Sequence, residues 1–276
     1  MRGRTVAAVL AGVALVAAGT AAAQIGRRGG GRFRTPGVKV ASMADFDGKF
    51  HYCRAVYRDN PRGDGGGWST DYPSADTNLM IRFSELTKAP VGFDASGYPQ
   101  HLVVPLTSDE LFRCPFIMMQ EVGALYLTDE DAARLRLYLL KGGFLWVDDF
   151  WGSYAWSVWE EEIQKAFPPN EFPIVDLPAD HPILRMLFEV PSVPQIPAIN
   201  SWFSLGGGTS ERGADSAEVH TRAILDPNGR VMLLMTHNTD VSDSWEREGE
   251  DQDYFYRFSV DGYAVGINVL LYSMTH

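Results

Sequence analysis

"KGGFLWVDDFWG", Lys141 to Gly152, decides the fold. Phe144, Leu145, Trp146 and Val147 run without a polar break into Asp148 and Asp149. An unbroken apolar run, rather than an alternating one, is what a strand buried on both faces of a parallel sheet requires. The residues before it read as a helix. Thr128 with Asp131 three positions on forms a capping box, with Asp in place of the usual Glu. The acids at 129–131 suit the positive end of a helix, and Ala132, Leu135 and Leu139 make one apolar stripe. Lys141 places a cation in the last turn, and Gly142 can take the positive φ that ends a helix. The residues after the strand predict a second helix over Tyr154–Phe167, with Trp156, Trp159 and Ile163 inward. Helix, tight turn, buried strand, helix is the repeating unit of an α/β sheet.

The same pattern extends in both directions. "KFHYCRAVY" (Lys49–Tyr57), "HLVVPL" and "PFIMMQ" (Pro115–Gln120) read as strands. "RDNPRGDGGGWSTDYPS" reads as a loop from its Gly, Pro and Asp content. Ser74 is the expected cap of a helix over Ala75–Leu86, with Leu79, Met80, Phe83 and Leu86 on one face. "FPIVDL" is a further short strand. "EVHTRAIL" and "RVMLLMTH" flank the turn signature "DPNG" and predict a hairpin. "SVDGYAVGINVLLYSM" is the closing helix. The expectation is one α/β domain over residues 45–276, with a three-layer, doubly wound, mostly parallel sheet and a C-terminal β-hairpin and helix.

The N-terminus reads differently. Arg2 and Arg4 precede an uncharged apolar run, Val6 to Ala18, which ends in Ala21-Ala22-Ala23. That is the layout of a secretory signal peptide over residues 1–23, cleaved near Ala23, and it predicts a secreted or periplasmic protein. No membrane span is expected after cleavage. Residues 24–44 are rich in glycine and arginine and read as a flexible basic tail. The chain carries a formal net charge of −11, and the six arginines before Gly37 leave −17 on the remainder. So acidic a body excludes nucleic acid as the main partner. In an oxidising compartment the only two cysteines, Cys53 and Cys114, either pair or remain buried thiols.

In open parallel sheets, ligands bind outside the carboxyl ends of the strands, and Asp148 and Asp149 mark such an end. Neighbouring strand residues face opposite sides, so one acid can address a crevice while the other caps a helix or takes an arginine. Arg58, Asp71, Tyr72, Trp151, His181, Asn238, Asp240 and Asp243 fall in predicted loops that a doubly wound topology can bring to the same rim. Trp68, Tyr72 and Trp151 are expected as exposed aromatics able to stack on a sugar or peptide. His237 is a weaker candidate. The acidic stretch "DVSDSWEREGEDQD" lacks the spacing of an EF-hand and reads as a solvated mobile loop. "RGDGGGW" lacks the Gly-Lys-Ser/Thr ending of a phosphate loop. No His-Glu-x-x-His and no Gly-x-Ser-x-Gly elbow is present. The sequence names no cofactor and assigns no metal site.

Several segments together resemble a bacterial family catalogued as domain of unknown function 4159. They are Tyr57-Arg58, "DYP…TNL" from Asp71 to Leu79, "CPF", "GGFLWVDDF", "DHPI" at Asp180–Ile183, "HNTD" at His237–Asp240 and the ending "INVLLYSMTH". The resemblance implies a three-layer fold similar to class I glutamine amidotransferases. It does not carry their chemistry, which needs a cysteine nucleophile on an elbow. Cys53 lies inside a predicted strand and Cys114 precedes one. Two functions follow as expectations. The first is a non-catalytic domain binding a small ligand, a glycan or a protein partner at the rim. The alternative is a carboxylate- or metal-dependent hydrolase, acting on a carbohydrate for instance, in which Asp148, Asp149 and His181 are the candidate catalytic groups.

Overall fold

A computed structural model describes residues 38–276. The expected signal peptide, and the tail as far as residue 37, lie outside the described residues. The elements in chain order are β1 (Tyr52–Val56), β2 (Arg58–Asp59), α1 (Ser74–Leu86), β3 (His101–Pro105), β4 (Phe116–Gln120), β5 (Leu125–Tyr126), α2 (Asp129–Leu140) and β6 (Phe144–Asp148). They continue with α3 (Gly152–Ile163), β7 (Ile174–Asp176), α4 (Ile199–Ser204), β8 (His220–Leu225), β9 (Val231–His237), α5 (Asp243–Glu246), α6 (Gln252–Tyr254) and α7 (Val260–Thr275).

The seven-stranded sheet has the order β3-β1-β4-β6-β9-β8-β7. β3, β1, β4, β6 and β9 are parallel; β8 pairs antiparallel with β9, and β7 antiparallel with β8. The sheet is doubly wound: the chain leaves β1 for β3 on one side, then returns to β4 on the other. The order therefore reverses between β1 and β4, where a ligand crevice is expected. β2 and β5 form a separate two-stranded sheet.

β6 is fully buried along its length, as its unbroken apolar run requires. One sheet face, presenting Tyr52, Phe116, Met118, Phe144, Trp146 and Leu234, packs on Leu79 and Phe83 of α1 and on Ile267 and Leu270 of α7. Trp159 of α3 meets Met235 on β9, one residue from Leu234 and hence on the opposite face. The capping box at Thr128 and Asp131 forms as expected, and Ala132, Leu135 and Leu139 are buried. Gly142 takes φ +104 in the turn into β6. Cys53 and Cys114 are joined, with Cα atoms 6.1 Å apart, which ties β1 to the segment entering β4.

Some expectations fail for local reasons. Ordered backbone begins before residue 45: Val40 bridges to Val103, and Met43–Asp45 form a 3-10 turn. Ser74 is the first residue of α1 rather than its cap, which is Pro73. Leu86, expected inward, is 52% exposed because α1 ends there and leaves the sheet. α3 starts at Gly152 and stops at Ile163, short of Phe167.

Candidate functional site

The carboxyl ends of β4, β6 and β9 meet the loop before α1. Asp148 ends β6 and accepts two hydrogen bonds, from Thr236 Oγ1 at 2.5 Å and from the Ser242 amide at 3.0 Å. Asp149 turns the chain at φ 55 and accepts from Trp151 Nε1 at 3.0 Å. Neither acid caps α3 or takes an arginine: the cap position is Trp151, which makes no side-chain cap bond. Ser242 Oγ accepts from Gln120 Nε2 and lies 3.0 Å from Asp71 Oδ2 and 2.9 Å from Asp240 Oδ1. A hydroxyl has one proton to donate, so it serves one of these carboxylates at a time. Asp240 Oδ1 also accepts the Asp243 amide, and Asp243 Oδ2 accepts the Ile199 amide and Tyr254 Oη. One ligand oxygen each from Asp71, Asp240 and Asp243 fall within 4.8 Å of one another. Asp71 and Asp240 each keep an oxygen without a hydrogen-bond partner among the described residues.

Burial of so many acids shifts their protonation. Desolvation, reinforced by Asp243, raises Asp71 to about 7. Desolvation also raises Asp148 to about 7 against its two hydrogen bonds. Asp149 is pushed well up by burial and then by Glu121, and Asp240 by burial and then by Asp149. Burial raises Glu121 and Glu246 to about 8 each, and it raises Asp243. Seven carboxyl groups thus share one rim.

The fully buried cation beside them is Arg54, and it is already committed. Arg54 is bidentate to Asp76, donates to Gln120 Oε1 and reaches the Thr70 carbonyl at 3.2 Å. Sequence reasoning passed over Arg54, Asp76, Gln120, Glu121, Ser242 and Glu246 as site residues. One signal was present: an arginine inside "YCRAV" must carry a partner if that strand is buried.

Backbone strain concentrates at the same place. Among the described residues, the non-glycine positions with positive φ are Asp71, Glu121, Asp149 and Asn238. Glu121 follows β4, Asp149 follows β6, Asn238 follows β9, and Asp71 precedes α1. Such conformations are sparse for side-chain-bearing residues and gather at functional sites.

Other expected site residues go elsewhere. Asn238 is used structurally, its Oδ1 accepting from the Gly152 amide and its Nδ2 donating to the Glu218 carbonyl. Arg58 is exposed on the small β2–β5 sheet. Tyr72 is half-buried, its hydroxyl 3.0 Å from His101 Nε2. Trp68 and Trp151 are not exposed platforms; each is 5% exposed or less. His181 lies at the opposite end of the sheet. Its ring sits 5.9 Å from Tyr272, whose hydroxyl accepts the amide of Val231 at the start of β9. It cannot join Asp148 and Asp149. The acidic stretch after β9 is not a mobile loop throughout: Val241–Trp245 are buried, and Asp243 opens α5. His237 is a packed core histidine between Phe150 and Trp156, its Nε2 donating to the Gly152 carbonyl at 3.0 Å.

Fold and rim define a three-layer α/β protein with a cluster of acids at the open ends of its parallel strands. The chain belongs to the family described as domain of unknown function (DUF4159), whose model matches residues 54–274. A comparison with curated proteins finds no match.

Proposed function

We propose that this protein is an extracytoplasmic binding domain whose rim takes a positively charged ligand, a hard divalent cation held by Asp71, Asp240 and Asp243. The observation that carries this reading is the convergence of these three carboxylates beside four more, with the neighbouring arginine already neutralised by Asp76. Buried carboxylates are stable when paired or bound to metal, and otherwise hold protons. Oxygen-only ligands favour Ca²⁺, Mg²⁺ or Mn²⁺ over softer ions. The basic, apolar N-terminus and the Cys53–Cys114 bridge support an oxidising compartment outside the cytoplasm.

The test is thermal unfolding with each of the three ions, for wild type and Asp240→Asn. A ligand at a hundred times its Kd stabilises the native state by about 2.7 kcal/mol. A rise in Tm that disappears in the variant supports the site. Equal behaviour of both proteins in every ion sinks it.

A hydrolase at the same rim is the second reading. Asp149 favours it: burial, with Glu121 beside it, raises its proton affinity, and a carboxyl group that keeps its proton can supply a general acid beside a bound cation. Turnover of a glycan, lost in Asp149→Asn with cation binding intact, would select it.

A further inference from the structure

We infer a second ligand site at the opposite, amino-terminal end of the sheet: a basal pocket that binds an oxyanion, either a carboxylate or a phosphate. A cavity of about 450 Å³ opens there, between the segment before β1, the entry to β4 and the α2–β6 turn. That volume falls in the range of small-molecule sites. Lys49, Arg113 and Lys141 line it together with Phe46, Phe112 and Cys114, and no carboxylate does among the described residues.

This lining runs against the composition of the chain. Acids outnumber Lys and Arg by 35 to 24, yet three cations face one cavity. Lys49 Nζ is paired with Asp47 at 3.2 Å, and that aspartate is 43% exposed. Lys141 lies over the Phe112 ring at 5.4 Å. The C-terminal dipole of α2 accounts for Lys141. It does not account for Arg113, which is exposed and has no ion-pair partner among the described residues. An arginine fork and a lysine around an aromatic floor are the donors that oxyanion recognition uses. The wall is also fixed in place. Cys114 is bonded to Cys53 of β1, and Tyr138 Oη donates to the Cys114 carbonyl at 2.9 Å. A preorganised wall spends less binding energy on ordering itself.

The experiment is calorimetric titration of the purified chain at low ionic strength, with inorganic phosphate in one arm and citrate in the other. We expect saturable binding of one or both anions, weakening as salt is added. Binding should fall about tenfold in Arg113→Ala and in Lys141→Ala, and stay unchanged in Asp240→Asn at the acidic rim. The amide resonances of Gly142 and Gly143 should shift with anion occupancy. Binding of phosphate alone assigns a phosphorylated ligand, and binding of citrate alone a carboxylated one. Heat from neither anion overturns the site, as does binding that both alanine variants leave untouched. Both side chains are exposed, so unfolding does not obscure the result; unchanged Tm values check this.

Discussion

Asp76→Asn tests the electrostatic frame of the rim most directly. Arg54 and Asp76 are both wholly buried, and the guanidinium spans Asp76, Gln120 and the Thr70 carbonyl. Removing one partner of a buried pair leaves an uncompensated charge and costs about 3–5 kcal/mol. A domain of this size loses about 2–4 °C of Tm for each kcal/mol, so the variant should melt roughly 6–20 °C below wild type. The other single variant, Arg54→Met, should cost a similar amount by stranding Asp76. The double variant Arg54→Met/Asp76→Leu should recover part of the loss, because hydrophobic replacement of a whole buried pair is often neutral. Recovery will be incomplete: Gln120 Oε1 and the Thr70 carbonyl lose their donor, at about 1–3 kcal/mol for each group left unsatisfied. Urea denaturation of wild type, Arg54→Met, Asp76→Leu and the double variant closes the cycle and gives the coupling energy. Additive losses, or single-variant costs below about 1 kcal/mol, would refute the claim that Asp76 neutralises Arg54. The frame also bears on function. With Asp76 neutral, the Arg54 charge is released toward Asp71, so Asp76→Asn should weaken any divalent cation at the rim as well as destabilise the fold.

Replacing both Cys53 and Cys114 by alanine should cost about 4 kcal/mol, from loop closure over a separation of 61 residues; equilibrium unfolding of the oxidised wild type and the variant measures it. His237 is held down to about 4 by burial, below its unfolded value near 6.5. The native state therefore resists a proton that the unfolded chain accepts, and stability attributable to this ring is lost as pH falls from about 6.5 to 4, up to about 3 kcal/mol. The wild-type minus His237→Phe difference in unfolding free energy across that window isolates the effect, and a flat difference contradicts it. Thr128→Ala removes the α2 capping box and should cost about 1 kcal/mol without changing cation or anion binding.

The fold was legible because its signals are local. The unbroken run from Phe144 to Val147, the Thr128 cap and the Gly142 turn each dictate one element. The alternation of such elements leaves few topologies. The hairpin around "DPNG" was equally plain, and β8 and β9 pair across it. The rim was only half legible. Asp71, Asp148, Asp149 and Asp240 could be named from their positions after strands or before a helix. Glu246 could not, nor could the burial of Asp243, because an acid-rich stretch reads as solvated unless its register is known. Here Val241 and Trp245 anchor that stretch in the core and carry Asp243 inward with them. His181 failed for the converse reason. It follows β7, but the chain then doubles back along α7 to the base of the sheet, and no local pattern records that return.

What joins these cases is where the backbone departs from regular geometry. Asp149, Glu121 and Asn238 each leave their strand through a left-handed residue, and Asp71 enters its helix through another. Glycine would hold those conformations without steric cost. The chain instead places three acids and an amide there, and Asn238 earns its place by bracing the Gly152 and Glu218 backbone. Two of the acids brace far less: Asp149 accepts one indole N–H, and Asp71 shares one serine proton with Asp240. On the cation-binding proposal, strain is kept at these residues because their carboxylates serve a ligand that the fold itself does not supply. A cation at the rim would use those oxygens and relieve the repulsion that now holds protons on them.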